Sequence, residues 1–153
     1  MTTVADLADR VGQEVGLSRW FPLDQPRMTA FAALTQDFSP IHTDIAGAKD
    51  LPFGTTVAHG FHTLSLLSAM QFDAMPAIDG VGWSVNYGFD RLRFVAPVFA
   101  GAQVRGRFVL KQLDDSTQGE VTLHLAVTIE IEGQDKPAVV ADWINRHYLG
   151  DPA

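Results

Sequence analysis

The chain has 153 residues, of which 46% are hydrophobic and 19% charged, and its formal net charge is −7. This composition is typical of one globular domain and argues against disorder, while the acidic balance argues against a nucleic-acid partner. The sequence has no cysteine, which excludes disulfides, thiolate metal sites and a cysteine nucleophile and suits a reducing cytoplasm.

The N-terminal stretch MTTVADLADRVGQEVG lacks the basic region and apolar core that are typical of a secretory signal. No apolar run approaches the roughly 18 to 20 residues that would span a bilayer. We therefore expect a cytoplasmic protein without a membrane partner. Because no repeat or linker divides the chain, a single domain over residues 1–153 is predicted.

A short strand and a helix are predicted ahead of the first polar cluster. The strand covers about residues 18–23, and Asp24 is a plausible N-cap for a helix over about 25–36. Met28 and Phe31 recur at helical spacing, which predicts that one side of this helix is buried.

The loop TQDFSPIHTD, residues 35–44, places Asp37 and His42 on either side of Pro40. On an unbroken helix the two side chains would point about 140° apart, since each residue turns about 100°. Pro40 breaks the helix and allows both to face one cavity. A carboxylate and an imidazole so placed are a candidate acid–base pair. The alternative is that Asp37 caps the segment beginning near Asp44 or stays solvated, and that His42 is an ordinary loop residue.

A second helix is predicted from Gly60 in the stretch VAHGFHTLSLLSAMQFDAM. Its side chains are apolar nearly all round, which is typical of a buried helix. A glycine in the first turn permits close backbone approach, and the unpaired N–H groups there favour negative charge. Gly60 is therefore a candidate oxyanion donor, with simple helix entry as the alternative.

The histidines His42, His59 and His62 raise the question of a metal site, to which Asp37 and Asp44 could add oxygen ligands. A buried histidine on a helix usually forms only a hydrogen bond, and the i, i+3 spacing of His59 and His62 is common. We therefore expect no metal.

From Ser84 onward apolar residues alternate with a period of two, which predicts strands over about 84–94, 102–110, 121–131 and 138–149. The phase slips near Asp90, which predicts a β-bulge there. Long antiparallel strands with one apolar face need a cover. The sequence thus predicts an α+β fold in which a curved antiparallel sheet wraps one central helix, with a dimer hiding what remains exposed.

The first two of these strands carry a cluster of basic residues. Five of the eleven in the chain fall within the 21 positions from 91 to 111: Arg91, Arg93, Arg105, Arg107 and Lys111. The last three share a strand parity and would line one face. That face is either a solvated outer surface or a seat for phosphates, which prefer arginine.

Three stretches carry a family resemblance: FAALTQDFSPIHTD, AKDLPFGTTVAHGFHTLSLLSAM and NYGFDRLRFVAPVFAG. They resemble the MaoC-like dehydratase family, which includes the (R)-specific enoyl-CoA hydratases, over about residues 12–148. The last stretch, together with Trp20, is most similar to the NodN-like branch. The resemblance implies a hot-dog fold and a homodimer with its tunnel near the subunit interface.

The resemblance also implies an activity, the reversible hydration of trans-2-enoyl-CoA or an acyl-carrier thioester without a cofactor. Asp37 and His42 would hold and activate water, the Gly60 N–H would donate to the thioester carbonyl, and Ser68 would support the aspartate loop. The CoA phosphates would meet the arginines of the strands, which are Arg91, Arg93, Arg105 and Arg107.

The chain departs from the family pattern at three positions. Gln36 and Ser39 stand where many members have glycine and asparagine, and Phe61 replaces a frequent methionine. We expect these changes to affect acyl-chain preference and rate. Two other functions remain open: a hot-dog thioesterase, in which Asp37 would direct water at the thioester carbon, and a non-catalytic acyl-thioester-binding module.

Overall fold

The alternating strands of the second half build one antiparallel sheet that curves around the helices. The computed structural model describes residues 1–150, so the last three residues of the predicted domain lie outside the described part. The strands are β1 (Glu14–Leu17), β2 (Phe21–Leu23), β3 (Val81–Phe94), β4 (Ala102–Asp114), β5 (Glu120–Ile131) and β6 (Val139–Leu149). The helices are α1 (Val4–Ala8), α2 (Gln25–Thr35), α3 (Pro40–Thr43), α4 (Gly60–Ser65) and α5 (Leu67–Ala74), and a 3-10 turn covers Gly47–Asp50.

The order of the strands in the sheet is β1–β4–β5–β6–β3, and β2 also pairs with β4. On β5 every second residue from Val121 to Ile131 is buried. The register joins Phe108 of β4 to Val127 of β5, and Val127 to Ala141 of β6. These three residues therefore lie side by side on the inner face. The strands predicted over 102–110, 121–131 and 138–149 are confirmed.

Helix α2 confirms the element predicted over 25–36. The Asp24 carboxylate accepts a hydrogen bond from the Arg27 N–H, as an N-cap does. The helix ends at Gln36, whose φ of 62° is left-handed and points the chain out of the helix. The strand predicted over 18–23 begins later, at Phe21, and the preceding strand β1 and helix α1 were not predicted.

The helix predicted from Gly60 starts there and is divided at Leu66 into α4 and α5. Gly106 of β4 lets α5 approach the sheet, because a Cβ at Gly106 would lie only 3.1 Å from the Met70 Cβ. The prediction that this helix is buried all round is wrong for a single chain, since Phe61 and Phe72 are 69% and 76% exposed. The sheet covers one side of the helix pair and leaves the other open.

Strand β3 is the open edge of the sheet, because within residues 1–150 it pairs with β6 alone. Its register shifts between Val81 and Trp83, between Asn86 and Gly88, and again between Phe89 and Arg91. The predicted bulge near Asp90 is thereby confirmed, and two further irregularities precede it. Large side chains along this edge are exposed, namely Trp83, Val85, Tyr87 and Phe89.

None of the helices over residues 1–150 is long and apolar enough to cross a membrane.

Candidate active site

The loop after α2 is held in one conformation by its own side chains. The Asp37 Oδ1 accepts a hydrogen bond from the Ser39 N–H at 3.2 Å, and the Thr43 hydroxyl donates to the carbonyls of Phe38 and Ser39. Short helix α3 then carries His42 back toward the protein interior. Asp37 caps its own turn, so the alternative that it caps the segment near Asp44 is wrong.

His42 has a fixed ring orientation. Its Nδ1 lies 2.6 Å from the Val57 carbonyl oxygen, which can only accept, so Nδ1 is the donor and, in the neutral imidazole, the lone pair lies on Nε2. The Val57 N–H in turn donates to the Ile41 carbonyl at 2.9 Å. Gln25, at the start of α2, donates to the His42 carbonyl at 2.8 Å. These contacts leave a buried imidazole with its basic nitrogen free to act.

His59 joins the two predicted catalytic residues. Its ring stacks on that of His42 at 3.7 Å between centroids, and its Nε2 donates to the Asp37 carbonyl oxygen at 3.0 Å. The same nitrogen lies 3.8 Å from the Asp37 carboxylate. One ligating atom from each of Asp37, His42 and His59 lies within 4.8 Å of the others. The structure therefore brings the acid and the base together. His59 contacts both of them, by stacking on His42 and by its hydrogen bond to Asp37.

Gly60 follows directly, as the first residue of α4. Its N–H has no partner inside the helix, as for any first-turn residue. A Cβ at Gly60 would lie 3.0 Å from two ring atoms of Phe94, so a larger residue here would require that ring to shift. Gly60 and His42 line the same cavity, the catalytic cavity, of about 320 Å³. Phe53, Val95 and Val139 are among its apolar walls.

An imidazole and a helix N–H at one cavity, with a carboxylate beside the imidazole, match a known family. A family model described as MaoC like domain covers residues 6–131. The chain belongs to the MaoC-like dehydratase family. Nodulation protein N of Rhizobium leguminosarum bv. viciae is 46% identical over 93% of this chain and 89% of its own length.

Two further relatives of this MaoC-like chain carry enzymatic names. The 3-hydroxyacyl-thioester dehydratase Z of Mycobacterium tuberculosis is 43% identical, with 95% of each chain covered. The solved (R)-hydratase from A. caviae involved in PHA biosynthesis has a TM-score of 0.71 and 28% identity, over 93% of this chain and 96% of that chain. The predicted family and hot-dog fold are confirmed, and with them the assignment of this chain to the hydro-lyases.

Ser68 contacts the sheet in the described chain. Its hydroxyl and the Asn86 side chain are hydrogen-bonded, with Nδ2 to Oγ at 3.2 Å. No hydrogen bond to the aspartate loop is found for it within residues 1–150. The role of Ser68 in supporting the aspartate loop stays a prediction.

The strand arginines lie on the outer face of the sheet, the side away from the helices. The Arg105 and Arg107 side chains both donate to Glu130 at 2.7 Å, and Arg107 also pairs with Glu14. Lys111 pairs with Asp142. The solvated-face alternative thus describes these three. Across the ladder Arg91 and Arg93 stand opposite Asp142 and Val140, on the same outer side. The predicted phosphate contacts stay a prediction.

The absence of a metal stays a prediction, because one ligating atom from each of Asp37, His42 and His59 lies within 4.8 Å of the others. His42 and His59 each donate one ring nitrogen to a carbonyl oxygen, as metal-ligating histidines also do. The other two candidate ligands have partners elsewhere. His62 stacks on Phe31 at 4.7 Å, and burial, followed by the nearby His59, lowers the pKa of His62. Asp44 accepts a hydrogen bond from the Gly47 N–H.

The part played by His59 was missed by the sequence reasoning, which considered it only as a metal ligand. Its position next to Gly60 was a usable signal, because a residue beside an oxyanion donor lies near the catalytic residues. The Val57 carbonyl and Gln25 left no such signal, since neither position carries a chemical pattern in the sequence.

Proposed function

We propose that this protein is an (R)-specific enoyl-thioester hydratase that adds water reversibly to trans-2-enoyl-CoA and needs no cofactor. Two observations carry the proposal: ligating atoms of Asp37 and His42 lie within 4.8 Å of each other, and His42 and Gly60 line the catalytic cavity together. A thioester carbonyl beside the Gly60 N–H would place its double bond next to the acid–base pair.

The reaction would use each group in turn. The oxygen of a water held by Asp37 and His42 bonds to C3, one proton of that water passes to the pair, and a proton is delivered to C2. Negative charge gathers meanwhile on the thioester oxygen, where the Gly60 N–H donates. Asp37 is 54% exposed in its side chain, so water reaches it from solvent. Positioned acid–base groups typically contribute about 10² to 10⁴-fold each.

The acyl chain would lie along α4 and α5. A cavity of about 260 Å³, the near cavity, is lined by Phe61, Leu64 and Ser68 on the helices and by Phe89 and Trp143 on the sheet. Phe61 meets the ring of Phe94 edge-on at 5.7 Å. This aromatic pair stands between the catalytic cavity and the near cavity. We therefore propose that it sets the angle at which the chain leaves the active site.

The first test follows trans-2-crotonyl-CoA by the absorbance of its conjugated thioester, beside an assay for free thiol. Loss of absorbance without thiol is the expected result. Release of thiol would assign the protein to the thioesterases instead. If both signals stay silent with longer chains as well, the proposal of an enzyme acting on enoyl thioesters is wrong and the binding-module function takes its place.

Asp37→Asn and His42→Ala are each expected to lower kcat by at least about a hundredfold, because each removes one positioned acid–base group. Asp50→Asn and His124→Ala are the matched controls. Asp50 is an exposed acid of the neighbouring 3-10 turn, and His124 lies opposite Ile144 on the outer parity of the sheet. Near-normal rates in both active-site variants would refute the mechanism.

We also propose that Arg91 and Arg93 meet the CoA phosphates. Both are exposed and lead into Phe94 and Val95, which line the catalytic cavity. Arg105 and Arg107 are weaker candidates, because Glu130 and Glu14 already neutralise them. Arg91→Ala should raise KM for crotonyl-CoA in a salt-dependent way, and it should leave KM for a crotonyl-pantetheine thioester unchanged.

A homodimer is proposed from the open side of the fold. Strand β3 offers a 14-residue edge that pairs on one side only among the described strands. The exposed Phe61 and Phe72 of the helices lie on the same side as this edge. A second copy placed there would pair the edge and cover these rings. Light scattering after gel filtration should give twice the 16.7 kDa of the chain, and a monomer at all concentrations would exclude the dimer.

A further inference from the structure

The groove along the helices continues beyond the near cavity. A second space of about 150 Å³, the distal cavity, is lined by Gln71, Phe72 and Met75 of the α5 end and by Ser84 and His147 of the sheet. The helix residues that line the two cavities recur every three or four positions, from Phe61 through Ser68 to Met75. They therefore share one helix face, and the two cavities follow one another away from Gly60.

The sheet side of this groove is polar at its far end. Ser84 stands opposite His147, and Asn86 stands opposite Asn145, on the parity that faces the helices. The neighbouring strand β5 presents only apolar residues at the same levels, because Leu123 pairs with Asn145 and Val121 with His147. Polar side chains at these inner positions are costly unless something bonds to them.

Three of these inner groups on β6 are buried without a hydrogen-bond partner among residues 1–150: Trp143 Nε1, Asn145 Oδ1 and His147 Nε2. Their residues are only 1%, 2% and 7% exposed. Native proteins rarely leave such groups unpaired. At about 3.3 Å per residue they form a row roughly 13 Å long. It runs from the near cavity, which Trp143 lines, to the distal cavity, which His147 lines.

Three side chains that line the distal cavity can form hydrogen bonds to a bound group: Gln71, Ser84 and His147. The Ser84 hydroxyl and the Gln71 amide can each donate and accept, and a ring nitrogen of His147 donates or accepts according to the tautomer. Asn145 holds Gln71 in place, because its Nδ2 donates to Gln71 Oε1 at 2.8 Å. A hydroxyl both donates and accepts, so it can bond to any of these three side chains, whereas an alkyl chain end can bond to none.

We infer that the distal cavity binds a hydroxyl group on the acyl chain, so that the substrates include enoyl thioesters hydroxylated far from the thioester. This inference rests on the proposed hydratase function. Gln71 lies eleven residues beyond Gly60, which is about 16 Å along the helix axis. A hydroxyl near the end of a medium-length chain would reach it. The cavity volume of about 150 Å³ suits such a chain end, since a water occupies about 30 Å³ in the liquid.

The test compares two substrates of equal length, trans-2-dodecenoyl-CoA and its ω-hydroxy derivative, on the full chain. The wild type should favour the hydroxylated substrate by about tenfold in kcat/KM, because a site that bonds a hydroxyl is left with unpaired groups by the plain chain. His147→Phe and Asn145→Leu should each abolish or reverse this ratio. His124→Phe, on the outer side of the sheet, should leave it unchanged.

The ratio of kcat/KM for the two substrates is measured within each variant, so a smaller amount of folded protein does not change it. Two variants are used so that the test still works if one of them does not fold. Equal rates for the two substrates, or a preference for the plain chain, would overturn the inference. Turnover of crotonyl-CoA separates the two proposals. If crotonyl-CoA is hydrated and the hydroxyl preference is absent, the hydratase function stands and only the hydroxyl site fails.

Discussion

The two halves of the inner sheet face differ although they cover the same pair of helices. Strands β4 and β5 present only apolar side chains and glycine there, such as Phe108 and Leu125, and these side chains are fully buried. Strands β6 and β3 present Asn145, His147 and Asn86 at comparable positions. The first half is built for stability. The second gives up apolar contact where cavities adjoin it, as is expected of a binding surface.

The largest effect on stability is expected when a polar side chain of the β6–β3 half is introduced into the apolar β4–β5 half. Leu125→Asn removes a fully buried leucine and buries an amide without a partner. We expect it to lower the free energy of unfolding by about 3 to 6 kcal/mol, the sum of the lost burial and the unpaired amide. Urea denaturation measures this loss. A cost below about 1 kcal/mol would show that the β4–β5 half is not a tightly packed core.

The reciprocal change, Asn145→Leu, is expected to be nearly neutral or to stabilise the fold by about 1 kcal/mol. It replaces a buried amide whose Oδ1 has no partner within the described chain, and the partly exposed Gln71 can turn to water. The same urea measurement applies, with the order of the two variants as the readout. A loss comparable to that of Leu125→Asn would mean that both halves have one structural role.

The smallest effect concerns pH. Burial lowers the pKa of His147 below its ordinary value of 6.5. The unfolded chain therefore binds a proton below about pH 6.5 that the folded chain does not, and stability falls as the pH drops through this range. His147→Phe should lose less stability than the wild type between about pH 7.5 and about pH 5.5. Parallel pH dependences of the free energy of unfolding for the two proteins would contradict this.

The sequence predicted those features that depend on local pattern. The alternation from Val121 to Ile131 located β5 to within one residue, and Asp24 located the start of α2. The pairing of Asp37 with His42 was accessible because Pro40 forbids an unbroken helix between them. Each of these follows from a periodicity or a backbone rule that neighbouring residues express.

Features that depend on what one element meets across space were not predictable in this way. Phe61 and Phe72 belong to a helical stretch whose composition is typical of a buried helix. They are nevertheless exposed, because the sheet ends at β3 before it can cover them. The hydrogen bond of Ser68 to Asn86 likewise joins the helix to β3, and no local pattern in the sequence indicates it. The ion pairs of Arg105 and Arg107 with Glu130 depend on the register of β4 and β5, which the alternation alone does not fix.

Gln36 has a consequence for the tolerance of this chain to mutation. Its left-handed backbone, with φ of 62°, is eased by a hydrogen bond from its own Nε2 to the Ala33 carbonyl at 3.1 Å. Glycine or asparagine should be accepted at this position, and valine, isoleucine or threonine rejected. A saturation scan would thus find a sharply restricted position directly before the catalytic aspartate. That restriction would report the turn of the chain, and inactive variants at position 36 would be no sign that its side chain touches the substrate.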